Sequence, residues 1–309
     1  MVLDRSNRNV VVIGAGLMGT GIAHAFASSG FSTTVVDVDK NQLQQSSSNI
    51  AQMLADGERL GKLDSKQVQD ALAGLKFETT APFENVELVV ETATENLDVK
   101  KRIFAELDAQ VSGSCLLATN TSALSITEIA AHTRRPGRVI GMHFFNPVHK
   151  MKLVELVLGL QTEDTTVEQA KAWCGAIRKQ SIVVNETPGL TTSRMSGMLG
   201  NEAMWMLLEG TASAEDIDAA MRLGLNHPMG PLELGDLTGW DTRLAVLNYL
   251  HSTLGEKFRP CPLITKMVKA GRLGRKTGHG VYRYENGQKI PNSGLKNAAW
   301  IEELQAGNE

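Results

Sequence analysis

The residue with the most chemical promise in this 309-residue chain is a histidine that closes an apolar run. The run reads Val139-Ile140-Gly141-Met142-His143-Phe144-Phe145-Asn146-Pro147, and Glu155 stands twelve positions after the histidine. Imidazole, with an ordinary pKa of ~6.5, suits a group that must take up and return a proton at working pH. A carboxylate beside it would hold one tautomer and stabilise the positive ring that forms. A histidine at the end of an apolar run is, taken alone, most often a core residue. Here Asn146-Pro147 stops the strand just past the ring. That leaves the imidazole at a strand terminus, and open α/β sheets gather ligands at the carboxyl ends of their strands. Glu155 lies in a second strand-like run, Lys152-Leu153-Val154-Glu155-Leu156-Val157, which can lie beside the first; the register between them is open. Such a pair can take a proton from a hydroxyl group and return it; oxidising that alcohol would also need an acceptor for a hydride.

The acceptor is written nearer the start. Asn9-Val10-Val11-Val12-Ile13 is a short β-branched strand that runs into Gly14-Ala15-Gly16-Leu17-Met18-Gly19, a G-x-G-x-x-G. A helical stretch to about Ser28 follows, then a buried strand Thr33-Thr34-Val35-Val36 ending on Asp37. Strand, glycine turn, helix, strand and acid together form the dinucleotide-binding context, which is far more specific than the glycines alone. Gly14 permits the tight turn, Gly16 lets backbone approach a pyrophosphate, and Gly19 allows close packing. The helix N-terminus then offers N–H groups to the phosphates. Asp37, 23 residues after Gly14, is spaced to accept from a ribose hydroxyl and would repel a 2′-phosphate, so NAD is expected rather than NADP.

Composition narrows the alternatives. A length of 309 residues suggests two domains, and 42% hydrophobic with 21% charged residues is ordinary for a globular protein. A net charge of -3 gives no basic field for nucleic acid or an anionic membrane. Cys115, Cys174 and Cys261 are scattered without metal-ligand spacing, so reduced thiols and no metal are expected. With no secretory or membrane-spanning run, the expected address is the cytoplasm.

The elements that must position these groups follow in order. Residues 40–75 read as a polar helical hairpin, broken around Gly57, Gly61 and Asp64, inserted after the second strand. Its tip carries Arg59 and Lys62, for which a solvated face is favoured over contact with an anionic substrate tail. Strands recur at Leu75-Lys76-Phe77, Leu88-Val89-Val90 and Leu116-Leu117-Ala118, with a helix over 97–110. The alternation argues a doubly wound, mainly parallel α/β sheet of Rossmann type. Polar groups stand at two strand ends, where Glu95 and Asn120 suit either helix caps or cofactor contacts equally well. A short helix from Ser125, the His143 and Glu155 runs, a helix over 165–179 and the strand Ser181-Ile182-Val183-Val184 complete this part. At Pro188-Gly189 the character changes, and everything after it reads as helix: 194–209, 214–223, 231–250 and 263–270. The boundaries are therefore 1–187 for a Rossmann-type NAD-binding domain and 188–309 for an all-helical domain. The tail from Lys289 is polar, with order expected only near Trp300 to Leu304.

Taken together these motifs resemble the 3-hydroxyacyl-CoA dehydrogenase family, in its short monofunctional form. The likeness covers residues 9–284. It rests on the glycine turn, Glu91 through Lys100, Asn120-Thr121-Ser122, His143-Phe144-Phe145-Asn146-Pro147 and Met151-Lys152-Leu153-Val154-Glu155. It continues through Pro188-Gly189, Glu215-Asp216-Ile217-Asp218, His227-Pro228-Met229-Gly230-Pro231 and Gly274-Arg275-Lys276-Thr277-Gly278. The resemblance implies His143 as catalytic base with Glu155 orienting it, and Ser122 and Asn146 holding substrate oxygens. It implies Glu95, Lys100 and Lys276 as cofactor contacts, alongside Gly14, Gly16, Leu17, Met18, Gly19 and Asp37. It further implies an acyl-CoA substrate and a homodimer formed through the helical domain. One departure stands out: the family carries Asn directly before the arginine equivalent to Arg194, where this chain has Ser193. A shorter hydroxyl in place of the amide marks Ser193 as a substrate-binding position where specificity can differ. It also leaves room for a dehydrogenase of a free hydroxy acid or sugar acid, of gulonate type. A non-catalytic NAD-binding protein on the same scaffold would make no demand for His143 and Glu155.

Overall fold

The computed structural model describes residues 8–81 and 83–295. The piece expected to be ordered near Trp300 lies outside them. The chain divides into two compact units between Thr187 and Pro188.

The first unit is built on an eight-stranded sheet. Its chain order is β1 (Asn9–Ile13), α1 (Leu17–Ala27), β2 (Ser32–Val36), α2 (Lys40–Arg59), α3 (Ser65–Ala73), β3 (Leu75–Glu78) and β4 (Val86–Glu91). It continues with α4 (Leu97–Gln110), β5 (Leu116–Thr119), α5 (Ile126–Ala130), β6 (Val139–Phe144), β7 (Leu153–Leu158), α6 (Asp164–Ala176) and β8 (Gln180–Asn185). The strands lie in the order β3-β2-β1-β4-β5-β6-β7-β8. Every neighbouring pair is parallel except β6 with β7. From β1 the chain steps outward through β2 to β3, then returns to lay β4 on the other side of β1. That reversal is a topological switch point, and it opens a crevice at the carboxyl ends of β1 and β4. The central strands are buried on both faces, with Val10, Val12, Leu88, Val90, Leu116, Ala118, Ile140 and Met142 in one core. Runs with no polar alternation are what a sheet covered by helices on both sides requires.

The hairpin after β2 is present, with its break at 60–64 rather than at Gly57, which continues α2. Asp64 starts α3 through a capping box with Gln67. Arg59 is ion-paired with Asp56 at 2.7 Å, on a solvated face.

The second unit is mainly helical: α7 (Thr192–Glu209), α8 (Ala214–Gly224), α9 (Pro231–Thr238), α10 (Trp240–Leu254) and α11 (Pro262–Lys269). Its separate core gathers Met204, Leu207, Leu232, Trp240, Leu247, Leu263, Ile264 and Val281. Two expectations are corrected here. The single helix over 231–250 is two, because Gly239 sits at φ 94°, a left-handed value that no continuing helix takes. Nor is the unit all helix: β9 (Tyr284–Glu285) and β10 (Gln288–Lys289) form an antiparallel hairpin. Its turn is Asn286-Gly287, at φ 49° and 73°, the two positive values that a type I′ turn demands.

Candidate active site

The glycine turn leaves β1 at the switch point. Gly14 holds φ 100°, and a Cβ there would lie 2.8 Å from the Thr92 carbonyl at the end of β4. At Gly19 a Cβ would lie 1.8 Å from the Gly14 carbonyl, so the first turn of α1 folds onto the loop only with hydrogen at that position. Thr92 locks the arrangement from the neighbouring strand, its hydroxyl donating to the Ile13 carbonyl at 2.9 Å. At Gly16, by contrast, a Cβ would meet nothing within 4 Å. Gly16 also caps α1, whose first turn, beginning Leu17-Met18, carries no acidic residue. The open space and the N–H groups of the helix start fit a pyrophosphate. At the end of β2, the Asp37 carboxylate accepts the Ala15 N–H at 2.7 Å, which fixes it beside the turn. A dinucleotide thus fits the groups present: backbone donors for its phosphates and an acid for a ribose.

The imidazole and the carboxylate are brought together by the one antiparallel step in the sheet. β6 and β7 face each other with His143 directly opposite Glu155. The imidazole Nδ1 lies 2.7 Å from Glu155 Oε2, with Glu155 fully buried and His143 8% exposed. A carboxylate only accepts, so Nδ1 donates and the lone pair of Nε2 is left for a substrate. The Phe145 ring packs 4.6 Å from the imidazole, centroid to centroid. Asn146 follows at an exposed position, at a cis peptide bond to Pro147.

Between these two sites runs a network that the sequence did not spell out. Glu91, buried at the end of β4, accepts Lys100 Nζ at 2.8 and 3.0 Å, the Thr119 hydroxyl at 2.6 Å and the Ala93 N–H at 2.6 Å. Lys100 is only 1% exposed and reaches Glu95 at 3.7 Å. Glu95 is half-exposed and accepts the Thr121 hydroxyl at 2.5 Å and the Ser122 N–H at 3.1 Å. Glu95 therefore caps no helix, and neither does Asn120; Asn96 caps α4 and Ser125 caps α5. Lys100 is enclosed between carboxylates, which makes it a buried brace for Glu95 rather than an exposed cation. Sequence reasoning placed Glu91 at a strand end but gave it no role. Its signal was an acid directly after the apolar run Leu88-Val89-Val90, a position that burial makes costly without a partner.

Ser193 and Lys276 belong to the second unit. Ser193 lies in the first turn of α7. Lys276 sits in a 3₁₀ turn and is gripped by Asp241, Nζ to both carboxylate oxygens at 2.7 Å. Among the described residues no group of three or more His, Cys, Asp or Glu side chains is arranged to hold a metal ion.

A phosphate-ready glycine turn on a mainly parallel sheet, with an imidazole–carboxylate pair at another strand end, defines the class of nicotinamide-dependent dehydrogenases. The chain belongs to the 3-hydroxyacyl-CoA dehydrogenase family: residues 9–187 match that family's NAD binding domain and residues 189–284 its C-terminal domain. It is 42% identical over 280 residues to a probable 3-hydroxybutyryl-CoA dehydrogenase of Bacillus subtilis, covering 90% of this chain and 98% of that one. It is also 42% identical over 289 residues to a 3-hydroxybutyryl-CoA dehydrogenase of Bradyrhizobium diazoefficiens, covering 92% and 98%. Among solved structures, the (S)-3-hydroxybutyryl-CoA dehydrogenase of Ralstonia eutropha superposes with a TM-score of 0.85 at 44% identity, covering 90% of this chain and 99% of that chain.

Proposed function

We propose that this protein oxidises (S)-3-hydroxyacyl-CoA to 3-oxoacyl-CoA with NAD, and runs the reverse reduction, using His143 as its acid–base group. The observation that carries the reading is the 2.7 Å contact between His143 Nδ1 and Glu155, set by strand register at the carboxyl end of β6. With Nδ1 committed to Glu155, Nε2 takes the proton of the C3 hydroxyl. The positive imidazole that results is stabilised by the buried carboxylate. In the reductive direction the same ring returns the proton to the C3 oxygen. Ser122 and Asn146 donate hydrogen bonds to the substrate oxygens and hold C3 in line for reaction. Bound NAD supplies the hydride acceptor. Gly14, Gly16, Leu17, Met18 and Gly19 hold its pyrophosphate, and Asp37 its adenosine ribose. Glu95 and Lys276 are further contacts to the cofactor, while Lys100 acts through Glu95. Ser193 touches the substrate.

The protein acts as a homodimer joined through its second unit, in the cytoplasm. That unit leaves Leu223 84%, Leu225 64% and Met195 64% exposed, apolar surface of the kind a partner covers. All three cysteines are free and buried, as suits a reducing compartment. No helix among the described residues is long and apolar enough to cross a membrane.

Steady-state consumption of NADH tests the reading. Acetoacetyl-CoA is expected to be turned over and free acetoacetate left untouched, and a preference for the free acid would overturn it. His143→Gln is expected to fold and bind NADH while kcat falls by at least ~10²-fold; near-normal kcat would remove His143 from its role.

A further inference from the structure

The rungs between β5 and β6 run from Leu117 opposite Val139 to Thr119 opposite Gly141. On its other edge β6 goes on pairing with β7, through His143 opposite Glu155 to Phe144 opposite Val154. Among the described residues, then, the β5 rungs stop at Gly141 while the strand bearing the imidazole continues three residues further. At that point β5 turns away into the loop that carries Ser122.

Asn120 spans the divergence. Its backbone N–H donates to the Glu91 carbonyl at 2.8 Å, which ties it to β4. Its side-chain Oδ1 accepts the Phe144 N–H at 2.8 Å, replacing the rung that β5 no longer supplies. Phe144 is the residue after His143, and Ser122 lies two residues after Asn120. A single carboxamide therefore joins the strand holding the base to the loop holding the substrate hydroxyl. From the other side the same loop is tethered by Glu95, through Thr121 and the Ser122 N–H.

We infer that Asn120 is a positioning residue for hydride transfer: its carboxamide oxygen sets the separation of the Ser122 hydroxyl and the His143 imidazole, so that one substrate oxygen meets both. This rests on the roles given above to His143 and Ser122. What the position requires is an acceptor for a backbone N–H. A carboxylate meets that need and an aliphatic side chain does not. A cofactor contact would depend equally on the amide donor, which aspartate lacks.

The test compares wild type, Asn120→Ala, Asn120→Asp and His143→Gln, with acetoacetyl-CoA and NADH as substrates. Since a misplacement of ~1 Å can cost about 10²-fold in rate, Asn120→Ala is expected to lower kcat by roughly 10- to 100-fold with the KM for NADH unchanged. Asn120→Asp is expected to recover most of that loss. Its added negative charge should also move the pH–rate profile upward, as a carboxylate seated on the Phe144 N–H beside the imidazole would and one swung out into solvent would not. Wild-type kcat in Asn120→Ala overturns the inference, as does a raised KM for NADH with kcat intact. Should Asn120→Ala fail to fold, Asn120→Asp decides alone: near-normal kcat with a displaced profile supports the inference, and a large loss with an undisplaced profile overturns it. Normal kcat in His143→Gln would instead strike the underlying reading of the base, whatever Asn120 does.

Discussion

His24 shows how a single side chain couples this fold to pH. It lies on α1 with both ring nitrogens buried and without a hydrogen-bond partner among the described residues. Burial, with His149 and Lys179 nearby, pushes its pKa down to about 4. The unfolded chain takes up a proton on this ring near 6.5, whereas the folded chain resists until about 4. The unfolded state thus binds more protons in that window. Stability from this group is complete above 6.5 and is lost as the pH falls towards 4, by up to ~1.4 kcal/mol per unit. Urea titrations at pH 7 and pH 4.5 should show wild type losing more stability between them than His24→Leu; parallel losses would count against the assignment. At Ser193 the expectation is different. It lies in the first turn of α7, where the family carries an asparagine, so Ser193→Asn should retain activity with acetoacetyl-CoA. A collapse of kcat there would mean that the hydroxyl does something the amide cannot. His143 and Asp37 were legible as candidates because chemistry restricts what can stand at a strand end, and Glu155 because an acid is conspicuous inside an apolar strand. Asn120 stood out as a cap or a cofactor contact, but its bond to Phe144 was not legible, because the partner is a backbone N–H on another strand and backbone donors leave no mark in sequence.

Among the elements, the glycine turn was legible in full, and the structure separates what each glycine does. A methyl at Gly19 collides with the Gly14 carbonyl, while one at Gly16 points into open space. Gly19→Ala should therefore lower both the melting temperature and NADH affinity. Gly16→Ala should leave the melting temperature near wild type and weaken NADH by of order tenfold or more. Fluorescence titration beside thermal melts distinguishes the two, and equal melting losses would defeat the distinction. Helix and strand limits in the first unit were readable because β-branched runs alternate with capped helices. The second unit was harder. Gly239 lies inside a periodic apolar stretch, where a glycine reads as tolerated, yet its φ of 94° ends one helix and begins another. The hairpin at Asn286-Gly287 had the strongest short-range turn signal available and was masked by the helical context around it. The register of β6 against β7 was beyond reach, since it depends on how the intervening loop closes.

At the scale of the whole molecule, two cores form from two consecutive stretches of sequence, divided between Thr187 and Pro188. The two family matches abut at the same place. Association of the protein is the property that belongs to this scale. Sedimentation should give twice the 33.4 kDa chain mass, and Leu223→Glu should shift the population towards single chains, because a charge on covered apolar surface is costly. A wild-type protein that sediments as one chain would end the dimer proposal. The opposition of His143 and Glu155 has a further consequence for descent. Side chains on a strand alternate faces, so one residue gained or lost within 153–155 would turn the acid away from the ring and present an aliphatic neighbour instead. The connection beyond Asn146, residues 147–152, faces no such parity rule. Insertions and deletions among descendants of this chain should collect in that connection and be purged from the strand beside it.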